Sequence, residues 1–388
     1  MRRSKWAVLA GLSSLMLSGC ATMAEPAAAP VSPPQNAAEA LRPYYASLTT
    51  DLPQANSGAT LDTSRRISRI AFGSCNHQNR HQSIWSEIAA HNPELFLMIG
   101  DNVYGDFGFR GEADLRTFEN AYRLQASHPE FIAFRNQVPM MASWDDHDFG
   151  PNDSGGAFAF RERSEALFES FWGSSEAVRA RPGIYDSVMI GPEGEQVQLI
   201  MLDTRFFRDP LVSLPYSAER RPLGHYGLTD DPAATLLGSA QWAWLAGELE
   251  KPADLRIIVS SIQLLTDAHN YEKWGNMPVE RERLYRALAA RNGGGMVVLS
   301  GDRHSGAVYQ TSPEALGEEL WELTASSLNF SFAEGDTGAR EPDPLRRSGL
   351  YSDENFGMVE IDWAAGEVGL TLRRADGESL HSERIRFR

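Results

Sequence analysis

Residues 67–106 read ISRIAFGSCNHQNRHQSIWSEIAAHNPELFLMIGDNVYGD. An apolar run at 67–72, an amphipathic stretch at 84–90 and a second apolar run at 95–99 predict strand, helix, strand. Both strands run straight into polar residues, Gly73-Ser74-Cys75-Asn76-His77 after the first and Gly100-Asp101-Asn102-Val103-Tyr104-Gly105-Asp106 after the second. Two further junctions repeat the pattern: Met141-Ala142-Ser143 leads into Trp144-Asp145-Asp146-His147-Asp148, and Val297-Val298-Leu299-Ser300 into Gly301-Asp302-Arg303-His304. One Gly-Asp after a strand is an ordinary turn or helix cap. Four strand ends carrying acid, His or Cys point to a site. If these strands lie side by side in one sheet, their C-terminal loops share an edge. That edge gathers Cys75, Asp101, Tyr104, Asp145, Asp146, His147, Asp302 and His304.

Working outward, further strands are predicted at 138–143, 197–202, 256–261, 296–300, 320–325, 357–362 and 366–373, and helices at 115–126, 161–171, 239–250 and 279–290. Such alternation predicts an α/β protein with function on strand-end loops. A chain of 388 residues with 42% hydrophobic and 23% charged residues, 33 Gly and 21 Pro is a loop-rich globular protein. A stapled mini-protein, a helical bundle and wholesale disorder are excluded. Lys and Arg number 36 against 52 Asp and Glu, a net charge of −16, so no general nucleic-acid-binding surface is expected. An acidic surplus can instead hold cations.

Residues 1–20 read as a targeting segment. Arg2, Arg3 and Lys5 precede an apolar stretch at 6–17 that is too short to span a bilayer, and Leu17-Ser18-Gly19-Cys20 resembles a bacterial lipobox. The expectation is cleavage before Cys20 and acylation of that residue, anchoring the chain by lipid in the cell envelope, on the periplasmic or outer face. An ordinary cleaved signal peptide is the alternative. Residues 21–64, rich in Ala, Pro, Ser, Asn and Thr, read as a flexible tether compatible with a short helix at 37–48, and the body is 67–388. After cleavage Cys75 is the one thiol of the body, so no intramolecular disulfide forms. It is either a buried small hydrophobe or a metal ligand.

So many carboxylates at one edge would repel one another without cations. Carboxylate and Asn oxygens suit hard ions, and thiolate, phenolate or imidazole a transition metal such as iron. These junctions, together with Leu202-Asp203-Thr204-Arg205 and the stretch 237–245, resemble the PhoD-like alkaline phosphatases, a branch of the calcineurin-like metallophosphoesterases. The resemblance implies a four-layer α-β-β-α sandwich, a metal cluster at the strand ends and hydrolysis of phosphate esters outside the cytoplasm. It makes Asp101 a carboxylate bridging two metals, with Cys75, Tyr104, Asp302 and His304 around an iron-type ion, and Asn152 and Asp146 facing a calcium-type ion. Longer members carry an additional N-terminal β-sandwich domain, where this chain has the tether.

The expected chemistry is metal-dependent hydrolysis of phosphate monoesters or diesters, with a bound water acidified and aligned opposite the leaving oxygen. His147, beside Asp145 or Asp148, either donates a proton to the ester or holds its own loop. Arg303 either clamps phosphate oxygens or pairs with a neighbouring Asp. His269, past the strand near Ser261, either touches substrate or metal or does neither. Asp203 and Arg205 read as a structural pair beneath the site, and Asn329 as a neighbour of the cluster or a turn former. The expected partner is a small phosphate ester or a phospholipid. The alternatives are a phospholipase-like phosphodiesterase, a catalytically inactive metal-stabilised surface lipoprotein, and a purely structural one without metal.

Overall fold

The structure is a computed structural model that describes residues 36–48, 51–219 and 223–388. The targeting segment with Cys20 lies outside the described residues. Residues 36–48 and 51–64, expected to belong to the tether, are instead part of the body. Residues 37–47 form helix α1, whose Arg42 makes a two-bonded ion pair with Glu162 at 2.8 and 2.7 Å. The 51–64 stretch is laced to the body by Ala55 N–H donating to Phe171 O and Gly191 N–H to Thr63 O. Leu52 and Ala55 pack on a buried cluster, a use of apolar side chains that composition averaged over the whole segment hides.

Among the described residues twelve strands follow in chain order: β1 Arg69–Gly73, β2 Leu95–Ile99, β3 Met140–Ser143, β4 Asp186–Ile190, β5 Val197–Met201, β6 Leu255–Val259, β7 Gly295–Ser300, β8 Gly306–Thr311, β9 Leu320–Ala325, β10 Asn355–Asp362, β11 Glu367–Arg374 and β12 Ser379–Arg386. After α1 the helices are α2 Ile84–Ala90, α3 Arg116–Ser127, α4 Pro129–Gln137, α5 Asp146–Phe149, α6 Arg161–Trp172, α7 Glu176–Arg179, α8 Gly238–Leu249 and α9 Pro278–Ala289. The strands form two six-stranded mixed sheets, ordered β12-β11-β10-β1-β2-β3 and β4-β5-β6-β7-β9-β8. Each has a parallel centre, β1-β2-β3 in one and β5-β6-β7-β9 in the other.

Strands β2, β5 and β6 are buried along their whole length, and β2 reads as the unbroken apolar run Leu95-Phe96-Leu97-Met98-Ile99. Ile70, Phe72, Leu97 and Ile99 of the first sheet share one core with Leu199, Ile257, Val297 and Leu299 of the second, so the sheets pack face to face. Full burial of each such side chain contributes about 1.5–3 kcal/mol. The outer face of the first sheet is covered by α2, α3, α4 and α6 through Trp85, Phe118, Phe131 and Phe171. That of the second is covered by α8 and α9 through Trp242, Leu245, Leu284 and Leu288. The result is the four-layer α/β architecture.

The four strand ends are divided between the two sheets that the family resemblance implies: β1, β2 and β3 belong to one sheet and β7 to the other. Their loops still meet because the two parallel centres end together. An isolated bridge joins Ser74, just past β1, to Ser326, just past β9, and Leu328 N–H donates to Ser74 O at 2.9 Å.

Candidate metal centre and cavity

Four candidate residues each stand two positions past the end of a strand: Cys75 after β1, Asp101 after β2, Asp145 after β3 and Asp302 after β7. Cys75, Asp101, Asp302 and His304 have left-handed backbone, with φ of 58, 47, 68 and 48°. Such a conformation outside glycine costs on the order of 1–3 kcal/mol and collects at functional sites. Close approach is also built in. A Cβ on Gly100, whose φ is +117°, would stand 2.6 Å from Asp145 Cβ, and one on Gly301 would stand 2.5 Å from Ser74 Oγ.

The turns bring together three overlapping ligand groups among the described residues: Cys75, Asp101 and His304; Asp101, Asp146 and His147; and Asp145, Asp146, Glu272 and Asp302. Within each, one ligand atom per residue lies within 4.8 Å of the others. Asp101 is common to the first two groups and Asp146 to the last two. The Cys75 thiol lies 3.3 Å from Asp101 Oδ2 and 3.0 Å from Ser326 Oγ. The Tyr104 hydroxyl donates to Asp101 Oδ2 at 3.2 Å and stands 3.2 Å from His304 Nε2. His304 Nδ1 is engaged by Phe330 O, which leaves Nε2 facing the cluster.

Burial dominates the electrostatics. It raises the Cys75 thiol, the Tyr104 phenol and the Asp101 and Asp302 carboxyls above their ordinary pKa values, and neighbouring carboxylates push Asp101 and Asp302 further. Asp145 is pushed up to about 8 by burial, against the pull of Arg205. Asp146 alone is held low, because His147, Arg205 and the Asp153 amide outweigh its burial. Burial lowers His147, but Asp146, Asp101 and Asp106 together carry it up to about 11, while burial takes His304 down to about 4.

The protein's main counter-charge is Arg205, fully buried, whose Nε donates to Asp145 Oδ1 at 2.5 Å and Nη1 to Glu272 Oε2 at 2.8 Å, with Arg208 also 3.3 Å from Glu272. Arg205 is therefore not paired with Asp203 as expected. Asp203 instead accepts from the Arg205 and Phe206 amides and from Trp144 Nε1 at 2.8–3.0 Å. Asp145 Oδ2 and Asp146 Oδ1 are buried without a hydrogen-bond partner among the described residues. Orphaned carboxylate oxygens beside thiol, phenol and imidazole donors fit bound cations, which would satisfy the oxygens and remove the repulsion.

A cavity of about 400 Å³ opens above the cluster and is lined by Asp146, His147, Asn152, Asp302, Arg303 and His304 among others. Asn152 Nδ2 donates to Asp153 Oδ2 at 2.6 Å. The carboxylate on His147 is that of Asp106, 2.8 Å from Nδ1, and not Asp145 or Asp148. The reason is the short helix α5: Asp145 caps it, and Asp148 turns back to accept from the Asp145 amide at 2.7 Å and the Asn102 amide at 3.1 Å. Arg303 pairs with Glu341 at 2.6 Å rather than with an Asp, stacks on Tyr271 at 4.5 Å, and keeps Nε buried without a partner. His269 is not brought to the cavity. It is buried with Nε2 2.9 Å from Gln263 Oε1 and Nδ1 accepting from the Tyr271 amide at 3.2 Å. Asn329 holds the loop after Cys75, accepting from the His77 amide at 2.7 Å and donating to His81 O at 2.9 Å.

Sequence reasoning missed Glu272, Asp106 and the role of Arg205. Glu272 follows His269 by three residues in the loop after β6, where the strand-end rule applied and the histidine drew attention instead.

A model of the PhoD-like phosphatase family matches residues 70–372. Alkaline phosphatase D of Bacillus subtilis (strain 168) is 23% identical over 280 residues, a match covering 61% of this chain and 46% of that protein. The match thus spans less than half the length of this curated relative. A solved structure of PhoD superimposes with a TM-score of 0.62 at 17% identity, over 86% of this chain and 70% of that one, a likeness of fold.

Proposed function

The chain belongs to the PhoD-like phosphatase family, and on that premise we propose that it is a metal-dependent phosphoesterase that hydrolyses phosphate monoesters or diesters. The observation that carries this reading is the three overlapping ligand groups with two orphaned carboxylate oxygens, at the base of a cavity also lined by Arg303 and His147. On this reading Cys75, Asp101, Tyr104 and His304 would hold an iron-type ion, and Asp146, Asn152 and Glu272 a calcium-type ion; Asp302, expected beside the iron-type ion, is grouped instead with Asp145, Asp146 and Glu272 and would serve the calcium-type ion. Cations there would supply Lewis-acid charge for a phosphoryl oxygen and acidify a water.

The remaining work falls to the chain. His147, with Nδ1 committed to Asp106, has Nε2 left to give a proton or hydrogen bond to the leaving oxygen. Arg303, held by Glu341 and Tyr271, offers N–H groups to a phosphoryl oxygen. Asp145, locked by Arg205 and the Ser261 hydroxyl at 2.6 Å, acts as a fixed acceptor beneath the site rather than as a proton carrier. Export and acylation at Cys20 belong to the same proposal, supported by the targeting segment, and place the substrate outside the cytoplasm.

Protein purified without chelator is to be assayed with p-nitrophenyl and bis(p-nitrophenyl) phosphate, before and after chelation and metal return. Turnover lost with chelator and restored by metal is expected. Chelator-insensitive turnover, or none with either ester, would count against the reading.

A further inference from the structure

Large apolar side chains scattered singly on a surface need no explanation. Two exposed phenylalanines here are not scattered. Phe332 is 71% exposed, yet its ring lies 4.3 Å from that of His304 and 5.1 Å from that of Phe330, and it lines the cavity. Phe107, 51% exposed, stands beside the cavity lining, its ring centre 5.9 Å from that of His147, 5.4 Å from that of Tyr104 and 6.3 Å from that of Phe330. Each exposed ring thus leans on one of the two histidines that face the position of the phosphoryl group. The outer lining adds Leu223, Leu350 and Tyr271, the last presenting a face already stacked on Arg303.

The polar floor accounts for the phosphoryl end of an ester. Its organic group would then leave the cavity past Phe332, with Phe330 and Phe107 continuing the same row of rings. Rings that meet at tilted or perpendicular angles, 41° for Phe332 on His304 and 86° for Phe107 on His147, leave faces and edges available to a further ring. A volume of about 400 Å³ stands at the small end of ligand cavities, suited to a ring-sized group rather than a long chain.

We propose that Phe332 and Phe107 form a subsite for the alcohol part of the ester and select a flat aromatic group over an open-chain one. The inference rests on the phosphoesterase reading. Its test compares benzyl, 2-methoxyethyl and octyl phosphates, as monoesters or as methyl diesters according to which class is turned over. The benzyl and methoxyethyl alcohols are similar leaving groups, so their ratio reports binding rather than bond cleavage.

Wild type should favour the benzyl ester over the methoxyethyl ester in kcat/KM, and Phe332→Ala should reduce that preference about five- to tenfold, through KM. Phe332→Tyr should keep it. Phe332 is largely exposed, so Phe332→Ala should unfold at the wild-type temperature, which separates the subsite from a folding defect. An unchanged preference in Phe332→Ala overturns the inference alone. So does an octyl ester favoured as strongly and lost as steeply, which would make the lip a general apolar surface. No turnover of any ester by wild type, with the p-nitrophenyl esters also refused, overturns the phosphoesterase reading and this inference with it.

Discussion

The floor of the cavity is made largely by short turns that each follow a parallel strand, whereas its wall comes from the long connections at 202–237, 260–277 and 326–354. In the floor, Cys75, Asp101, Asp145 and Asp302 occupy the same position relative to their strands. The sheets fix where these residues stand, and three of the four accept left-handed backbone to face inward. In the wall, Phe332, Tyr271 and Glu341 are placed by contacts between segments far apart in sequence, such as Arg303 with Glu341. The floor therefore carries the charge and the strain, and the wall carries shape. Changes to the floor should cost turnover and metal, and changes to the wall should cost selectivity.

The largest effect is expected from Asp101→Asn, since Asp101 belongs to two of the ligand groups. Turnover should fall below detection, and metal content should fall with it. Next, Arg205→Met should leave Asp145 buried without its arginine and Glu272 with Arg208 alone, 3.3 Å away. A loss of roughly 3–5 kcal/mol in denaturant unfolding is expected, and a loss under 1 kcal/mol would show that bound cations alone hold the acids together.

His147→Ala should lower kcat by about 10²–10⁴-fold with metal retained. Equal loss of metal would move His147 from proton donor to ligand. Cys75→Ser should selectively lower occupancy of the softer ion, because a hydroxyl is a poorer soft ligand than a thiolate. Unchanged iron content would return Cys75 to the core. The smallest effect belongs to the wall: Glu341→Gln should raise KM a few-fold and spare metal content, by freeing Arg303 to wander. An effect on metal there would erase the division between floor and wall.

Much of this difference was already visible in the residues. Buried parallel strands such as Leu95–Ile99 announce themselves as apolar runs, and a polar cluster after each is a local signal. The regular elements that escaped notice lie where local pattern is weak. Strand β12 is an edge strand written Ser-Leu-His-Ser-Glu-Arg-Ile-Arg, its charges blunting the edge and only Leu380 and Ile385 reaching the core. Helix α4 starts with a proline at its first turn and has no strong amphipathic stripe, so Phe131 and Phe134 did not read as one face. Asp106 escaped because its partner His147 is 41 residues away and belongs to another strand's loop. His269 satisfied the strand-end rule and still turned inward, because Gln263 and the Tyr271 amide occupy both of its ring nitrogens.

The central claim, that the strand-end cluster is a metal centre that turns over phosphate esters, is tested most directly by metal analysis. Wild type and Asp101→Asn should be purified side by side without chelator, their metals counted per chain by mass spectrometry and the same samples assayed for ester hydrolysis. An active wild type holding an iron-type ion and calcium, with ions and activity both lost in the variant, is the predicted result. An active wild type without metal, or a variant that keeps both its metals and its rate, would contradict the account.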